Sequence, residues 1–325
     1  MPSIRRRTVI RLFAASVALA TAWTAPWAQA EVQGLEITAP ANPGSGYDQT
    51  SRAMQTVLQE NGLASGVQVV NVPGAGGTVG LAQFATSRKR NPSLLMIGFT
   101  LLGNLATNEA AVTLDDVDPL ALLLREYSVL VVPASSEIQS IDDLAARIKA
   151  DTGAVSWGLG SAGGLDHIIA GQIVNAVGAD VSALNAVNFA GGGEQVAAIL
   201  GGHVTVAVGG LPEFASQIES GDLRVLAISS PERLEGSDIP TLREQGVDVA
   251  LGTWRGVLAP KDMDEDDKAE LAEAIAQMVK TDDWQAILDQ RGWIDAYEDA
   301  DGFGAFLDEQ EALVDSSLRD LGMID

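Results

Sequence analysis

Four glycine-rich turns constrain this chain more than any other feature: Pro43-Gly44-Ser45-Gly46, Pro73-Gly74-Ala75-Gly76-Gly77-Thr78, the stretch 158–164, and Gly191-Gly192-Gly193-Glu194. Each follows a short apolar run and precedes a stretch with helical spacing. A glycine turn that opens a helix leaves first-turn N–H groups without intrahelical partners and adds the positive end of the helix dipole. Such a turn holds an anion without needing lysine. One such cluster is explained by tight turning alone, because glycine reaches backbone angles closed to other residues. For four in one chain, turning and a shared anion site stand about level. Open α/β sheets place ligands at the carboxyl ends of their strands, where these turns fall.

The runs that precede the turns are short. Segments 35–40, 67–72, 94–99, 129–132, 154–157, 186–189, 204–208 and 225–228 read as strands, with helical patterns between most of them. That alternation predicts α/β layers with largely parallel sheets. Beyond Pro260, three acidic stretches at 266–280, 284–291 and 303–321 have helical spacing, so the chain is expected to close with helices. A length of 325 residues suggests roughly two domains.

Composition removes several classes. The hydrophobic fraction of 46% suits a folded protein and is too high for a disordered acidic tail. With no cysteine, disulfide scaffolds, thiol nucleophiles and cysteine-held metals are excluded; two histidines leave little for zinc. Asp and Glu total 44 against 20 Lys and Arg, a net charge of −24 that argues against nucleic acid. The first thirty residues read as an address. Arg5, Arg6, Arg7 and Arg11 precede an apolar run at 12–22 and then Ala28-Gln29-Ala30, the order of a secretory signal peptide cut after Ala30. The run is short of the roughly 20 residues a membrane span needs. Arg6-Arg7 leaves the export route open between general and twin-arginine secretion. The expected product is a soluble protein outside the cytoplasm.

Two enzymatic readings are weighed against this. Gly158-Leu159-Gly160-Ser161-Ala162-Gly163 fits G-x-G-x-x-G, and Asp180 lies about twenty residues on. In a dinucleotide site that acid ends the next strand, whereas Asp180 precedes the segment 186–189, so the match counts for little. Ser161 with His167 as base would make an exported hydrolase. Leu159 stands where G-x-S-x-G requires glycine, yet a triad is a matter of geometry and the alternative stays open. His203, in a turn before a strand, is read as structural.

The motifs, taken in order, resemble the substrate-binding proteins of tripartite tricarboxylate transporters, the Bug-type receptors. The stretch 39–53, holding Gly46-Tyr47-Asp48-Gln49-Thr50, resembles their first loop. Asn71-Val72-Pro73-Gly74-Ala75-Gly76-Gly77-Thr78-Val79-Gly80 resembles their second signature. Gly160-Ser161-Ala162-Gly163-Gly164 with His167 is similar to the third, and Gly191-Gly192-Gly193-Glu194 with Leu200-Gly201-Gly202-His203-Val204 to the fourth. Ile239-Pro240-Thr241-Leu242 and Thr253-Trp254-Arg255-Gly256-Val257-Leu258-Ala259-Pro260 match two later marks. The variants look closest to the tricarboxylate branch.

The resemblance implies a two-lobed α/β periplasmic-binding-protein fold of type II. One domain would comprise 31–131 with 254–325 and the other 132–253, joined by two crossovers with the ligand cleft between them. It implies a monomeric receptor, without cofactor or metal, that captures a di- or tricarboxylate such as citrate. The receptor would deliver its ligand to a permease of one large and one small membrane subunit. Ser45, Gly46, Gly76, Gly77, Thr78, Thr100, Ser161, Gly163, Gly164, Gly192 and Gly193 would donate from backbone or hydroxyl, with Glu194 beside them. Tyr47 would wall the pocket, Asp48 would cap its helix or orient a ligand hydroxyl, and His167 would donate to the ligand or hold its helix. Arg255 would face the cleft or pair with a surface acid. The negative net charge opposes an anion only at long range, since salt screens it beyond about 8–10 Å while amide dipoles act at contact.

Overall fold

The computed structural model describes residues 31–87, 91–107, 112–160, 162–189, 192–234, 236–320, 322 and 324. The expected leader, Ser161 and Gly191 lie outside them. Ten strands form one sheet: β1 (Glu36–Ala39), β2 (Gln68–Asn71), β3 (Ser93–Gly98), β4 (Val117–Pro133), β5 (Ser156–Leu159), β6 (Asn185–Asn188), β7 (Val206–Gly210), β8 (Leu223–Ile228), β9 (Gly252–Pro260) and β10 (Ile294–Glu298). Among the described residues ten α-helices cover it: α1 (Gly46–Glu60), α2 (Thr78–Thr86), α3 (Phe99–Thr107), α4 (Ile141–Ala150), α5 (Leu165–Ala176), α6 (Gly192–Leu200), α7 (Leu211–Glu219), α8 (Glu265–Met278), α9 (Asp282–Arg291) and α10 (Ala300–Asp320).

The fold is α/β and two-lobed, and β4 is the strand both lobes share. Its first part pairs antiparallel with β9 on one side and with β10 on the other. Its last part, from Ser128, pairs antiparallel with β7 and β8. Outside this spine lie two parallel triplets, β2-β1-β3 and β6-β5-β7. The expectation of largely parallel sheets therefore holds for the triplets and fails for the spine. Two features hid the spine in the sequence. Arg125, Glu126 and Ser128 interrupt the apolar run of β4, and two glycines and a proline interrupt β9. The chain also does not close on helices alone: the half-polar segment Ile-Asp-Ala-Tyr-Glu forms β10 between α9 and α10.

Three apolar clusters hold these layers. Met54, Leu58, Leu271, Ile275 and Trp284 from α1, α8 and α9 pack on Ile37, Leu94 and Met96 of the first triplet. Phe84, Phe99, Ile168 and Phe303, from α2, α3, α5 and α10, pack on the opposite face. Ile199 and Phe214 bring α6 and α7 against Val129, Val131 and Ala207. Each fully buried side chain of this size stabilises by about 1.5–3 kcal/mol relative to exposure. Strand alternation at β9 sends Trp254 inward, where it meets Phe303 and Phe306 edge-on at 5.8 and 5.3 Å and donates to Gln310 at 3.0 Å. Its neighbour Arg255 is thereby turned to the other face.

Ser229, fully buried, ties the middle of β4 to the segment that leads into β9. The Ser128 N–H donates to Ser229 Oγ at 3.0 Å, and the Ser229 hydroxyl donates to the Leu251 carbonyl at 2.6 Å. Backbone bonds from Ser229 to Ser128 and from Leu251 to Ser229, both 2.9 Å, complete the knot.

Candidate ligand-binding site

Two of the four glycine turns, with Gly192 from the fourth, line one cavity of about 950 Å³. Ser45 caps α1 by accepting from the Asp48 N–H at 3.3 Å, so the first-turn amides of Gly46 and Tyr47 have no carbonyl to bond within the helix. The loop is braced from behind by Asp48, only 3% exposed. Its carboxylate accepts from the Gly44 amide at 2.8 Å, from Asn71 at 3.0 Å, and from Arg52 at 2.9 and 3.0 Å. Burial alone would raise this carboxyl; the bonds from Arg52, Gly44 and Asn71 outweigh it and hold it below the usual range.

The second turn is a run of left-handed backbone, with φ of +140° at Gly74, +44° at Ala75, +63° at Gly76 and +105° at Gly77. Ala75 is the one non-glycine residue at positive φ among those described, a conformation that costs roughly 1–2 kcal/mol. At Gly76 a Cβ would collide with Asn104, so both the angle and the space require glycine there. The Gly77 amide closes back on the Gly74 carbonyl at 2.9 Å, which leaves the first amides of the turn out of that hydrogen bonding.

Between these turns Tyr47 acts as a strut. Its hydroxyl accepts from the Leu101 N–H at 3.0 Å, joining the start of α1 to the start of α3. Burial pushes this phenol up to about 12 against the opposing pull of the Leu101 amide, Arg255 and Thr100. Gly98 makes room for the ring, since a Cβ there would stand 2.9 Å from Tyr47 Cε1.

Side-chain cations join the amides. Arg255 lies against Gly46, where a Cβ would stand 2.5 Å from Nη2. Its terminal nitrogens both reach Glu126 Oε2 at 3.2 Å. Glu126 is 14% exposed, so Arg255 faces the cleft and pairs with an acid of the cleft wall rather than of the surface. Trp293 gathers two guanidinium groups over its indole, Arg255 at 5.4 Å and Arg291 at 4.9 Å from the ring centroid, and all three line the cavity.

Of the residues singled out in the sequence, Ser45, Gly46, Tyr47, Gly76, Gly77, Thr100 and Gly192 line this cavity together. Asp48, Thr78, Gly163, Gly164, His167, Gly193 and Glu194 are not among its lining, and Ser161 is outside the described residues. Thr78 gives its hydroxyl to the Ala75 carbonyl at 3.0 Å. The Gly163 N–H donates to His167 Nδ1 at 3.1 Å, which leaves the proton on Nε2, and burial holds this imidazole below its usual range. Gly164 caps α5, and Glu194 sits in the first turn of α6.

Sequence reasoning missed Glu126, Pro212, Glu213, Gln290, Arg291 and Trp293, all of which line the cavity. For Glu213 the signal was present. Gly209-Gly210 ends β7 and opens α7 as a fifth turn of the same kind, and both glycines leave space for acids. A Cβ at Gly210 would stand 2.7 Å from Glu126 Oε1, and one at Gly209 would stand 2.9 Å from Glu213 Oε2. Behind these acids Asp166 accepts from the Ser128 hydroxyl at 3.0 Å.

Comparison with known proteins places this geometry among relatives. The model of the tripartite tricarboxylate transporter family receptor matches residues 51–323. The chain is 29% identical over 274 residues to protein BugT of Bordetella pertussis, covering 81% of each. It superposes on a TctC solute-binding protein from Polaromonas with a TM-score of 0.73 at 25% identity, covering 88% of this chain and 98% of that one. It has the fold of MatC from Rhodopseudomonas palustris with bound malate, with a TM-score of 0.73 at 19% identity over 88% of this chain and 99% of that one.

Proposed function

Because this chain belongs to the tripartite tricarboxylate transporter family of receptors, and so among solute-binding proteins rather than enzymes, we propose that it captures a di- or tricarboxylate of citrate or malate size in the periplasm. It hands the ligand to a permease of one large and one small membrane subunit. One observation carries this reading: the free first-turn amides of α1, the left-handed turn at Gly74–Gly77 and the Arg255–Trp293–Arg291 stack face a single cavity. Amides and guanidinium groups are the donors a carboxylate requires, and an arginine fork takes two oxygens at once. Ser45, Gly46, Tyr47, Gly76, Gly77 and Thr100 then contact the ligand from the lobe made of 31–131 and 254–325, and Gly192 contacts it from the lobe 132–253. Asp48, Thr78 and His167 hold those contacts in place. Ligand favours the state in which the lobes have closed on it.

A thermal-unfolding panel of malate, succinate, tartrate, citrate, tricarballylate and glutamate tests this. A true ligand at about 100 times its dissociation constant adds about 2.7 kcal/mol of stability. If no carboxylate raises the melting temperature, the reading falls.

A further inference from the structure

The cleft proposed above for a carboxylate holds acids of its own. Glu126 on β4 and Glu213 on α7 lie about one guanidinium, that of Arg255, and Asp166 on α5 stands behind them, near enough to act on both acids. Arg255 is engaged with Glu126 Oε2, and Asp166 with the Ser128 hydroxyl. Glu213 makes no hydrogen bond or ion pair among the described residues. Its Oε2 lies over the start of α6, 3.0 Å from where a Cβ on Gly192 would stand, and it opens into the same cavity as Arg255. That position, a first-turn glycine of a helix facing the cleft, is one where a bound carboxylate would come to rest.

The charges around Glu213 are few. Glu126 comes from β4, Asp166 from α5 and Arg255 from β9. The only ionisable residue of α6 is Glu194 in its first turn, and β7 carries none. On β8, Arg224 donates to the carbonyls of Ala134 and Ile138 at 2.9 and 3.2 Å. Three carboxylates that repel one another, with one guanidinium to offset two of them, cannot all stay ionised when an anion joins them, because nearby like charges drive protonation. Glu213 is the member with no donor to keep its charge. Burial and the neighbouring Asp166 and Glu126 already push it up to about 7 against the pull of Arg255. Asp166 is pushed by burial to about 6, with Ser128 and Gly160 opposing.

We infer that Glu213 meets a ligand carboxylate as a carboxylic acid, donating its O–H to a ligand oxygen, so that the protein takes up a proton with each carboxylate it binds. This inference rests on the carboxylate reading. A carboxyl–carboxylate hydrogen bond is charge-assisted and short, whereas an ionised Glu213 would face the ligand as a like charge.

The test is malate affinity by calorimetry between about pH 6.5 and pH 8.5, where malate stays a dianion, for wild type and Glu213→Gln. Wild-type affinity should fall towards tenfold per pH unit at the upper end, and the slope should vanish in the variant, whose amide donates at every pH. Repeating the wild-type titration in buffers of different ionisation enthalpy should give a proton uptake that approaches one per malate at about pH 8.5 and shrinks towards about pH 6.5; this count needs no variant. Affinity independent of pH, proton release on binding, or an unchanged slope in Glu213→Gln overturns the inference. So does aspartate binding more tightly than malate with affinity that rises with pH, since the acids would then be ionised acceptors for its ammonium. Binding of malate without a slope leaves the carboxylate reading intact. Failure of malate, succinate and citrate to bind at any pH removes both.

Discussion

Glu213 and Asp48 pull stability in opposite directions with pH. The folded chain holds the Glu213 carboxyl above its ordinary 4.5, at about 7, so its contribution is fully present below about pH 4.5 and is lost as pH rises through 7. Asp48 is held low, so its contribution is present at neutral pH and is lost as pH falls through its depressed value. Replacing Glu213 by Gln removes the first dependence and the repulsion from Glu126 and Asp166. Scanning calorimetry should find the variant melting above wild type at about pH 8, with the gap closing towards about pH 5. A gap of equal size at both ends would mean that packing, and not charge, separates the two proteins.

At the scale of elements, the site depends on how α1 begins. Asp48 holds the 44–48 turn by bonds to an amide, an asparagine and an arginine, and it is buried while Arg52 is half exposed. Asp48→Asn keeps the shape but loses the charge, and should cost about 2 kcal/mol in urea unfolding together with weaker binding of whichever carboxylate the panel finds. Stability lost with binding unchanged would show that the turn does not set the ligand's donors. This element was legible as a short apolar strand, a glycine turn and a helix, but the cap expected at Asp48 is Ser45, with the helix already begun at Gly46. The two parallel triplets were legible for the same reason, since their strands are short apolar runs bounded by Gly and Pro. The first part of β4 was not, because Leu120 to Leu124 are buried on both faces and show no alternation, and Arg125 and Glu126 then break the apolar run. Arg291 and Trp293 gave no local signal either. They reach the cavity only through the pairing of β10 with β4, Ile294 opposite Arg125, and that register is a tertiary fact.

For the whole molecule, β4 runs from one strand triplet to the other, and Ser229 ties its middle to the segment that leads into β9. Ser229→Ala leaves the Ser128 amide and the Leu251 carbonyl without their side-chain partner in a buried place. It should cost about 1–3 kcal/mol, with amide exchange at Ser128 and Leu251 quickening more than at Leu130 within the strand. Uniform quickening across β4 would instead mean global loss of stability with no special role for this tie. The negative balance of −24 bears on solubility and on long-range approach of an anion, and the contacts inside the cleft act at distances that salt leaves largely unscreened.

The continuity of β4 has a consequence for the sign of charge that an arriving solute meets. Side chains on a strand alternate between faces, so Glu126 looks into the cavity while Arg125 looks away and lies over Phe306, 4.8 Å from the ring centroid. Parity at this point of the ribbon therefore decides polarity: a one-residue slip in pairing that no bulge takes up would swap the two, turning an acid outward and a base inward. A slip of two would restore the original sense.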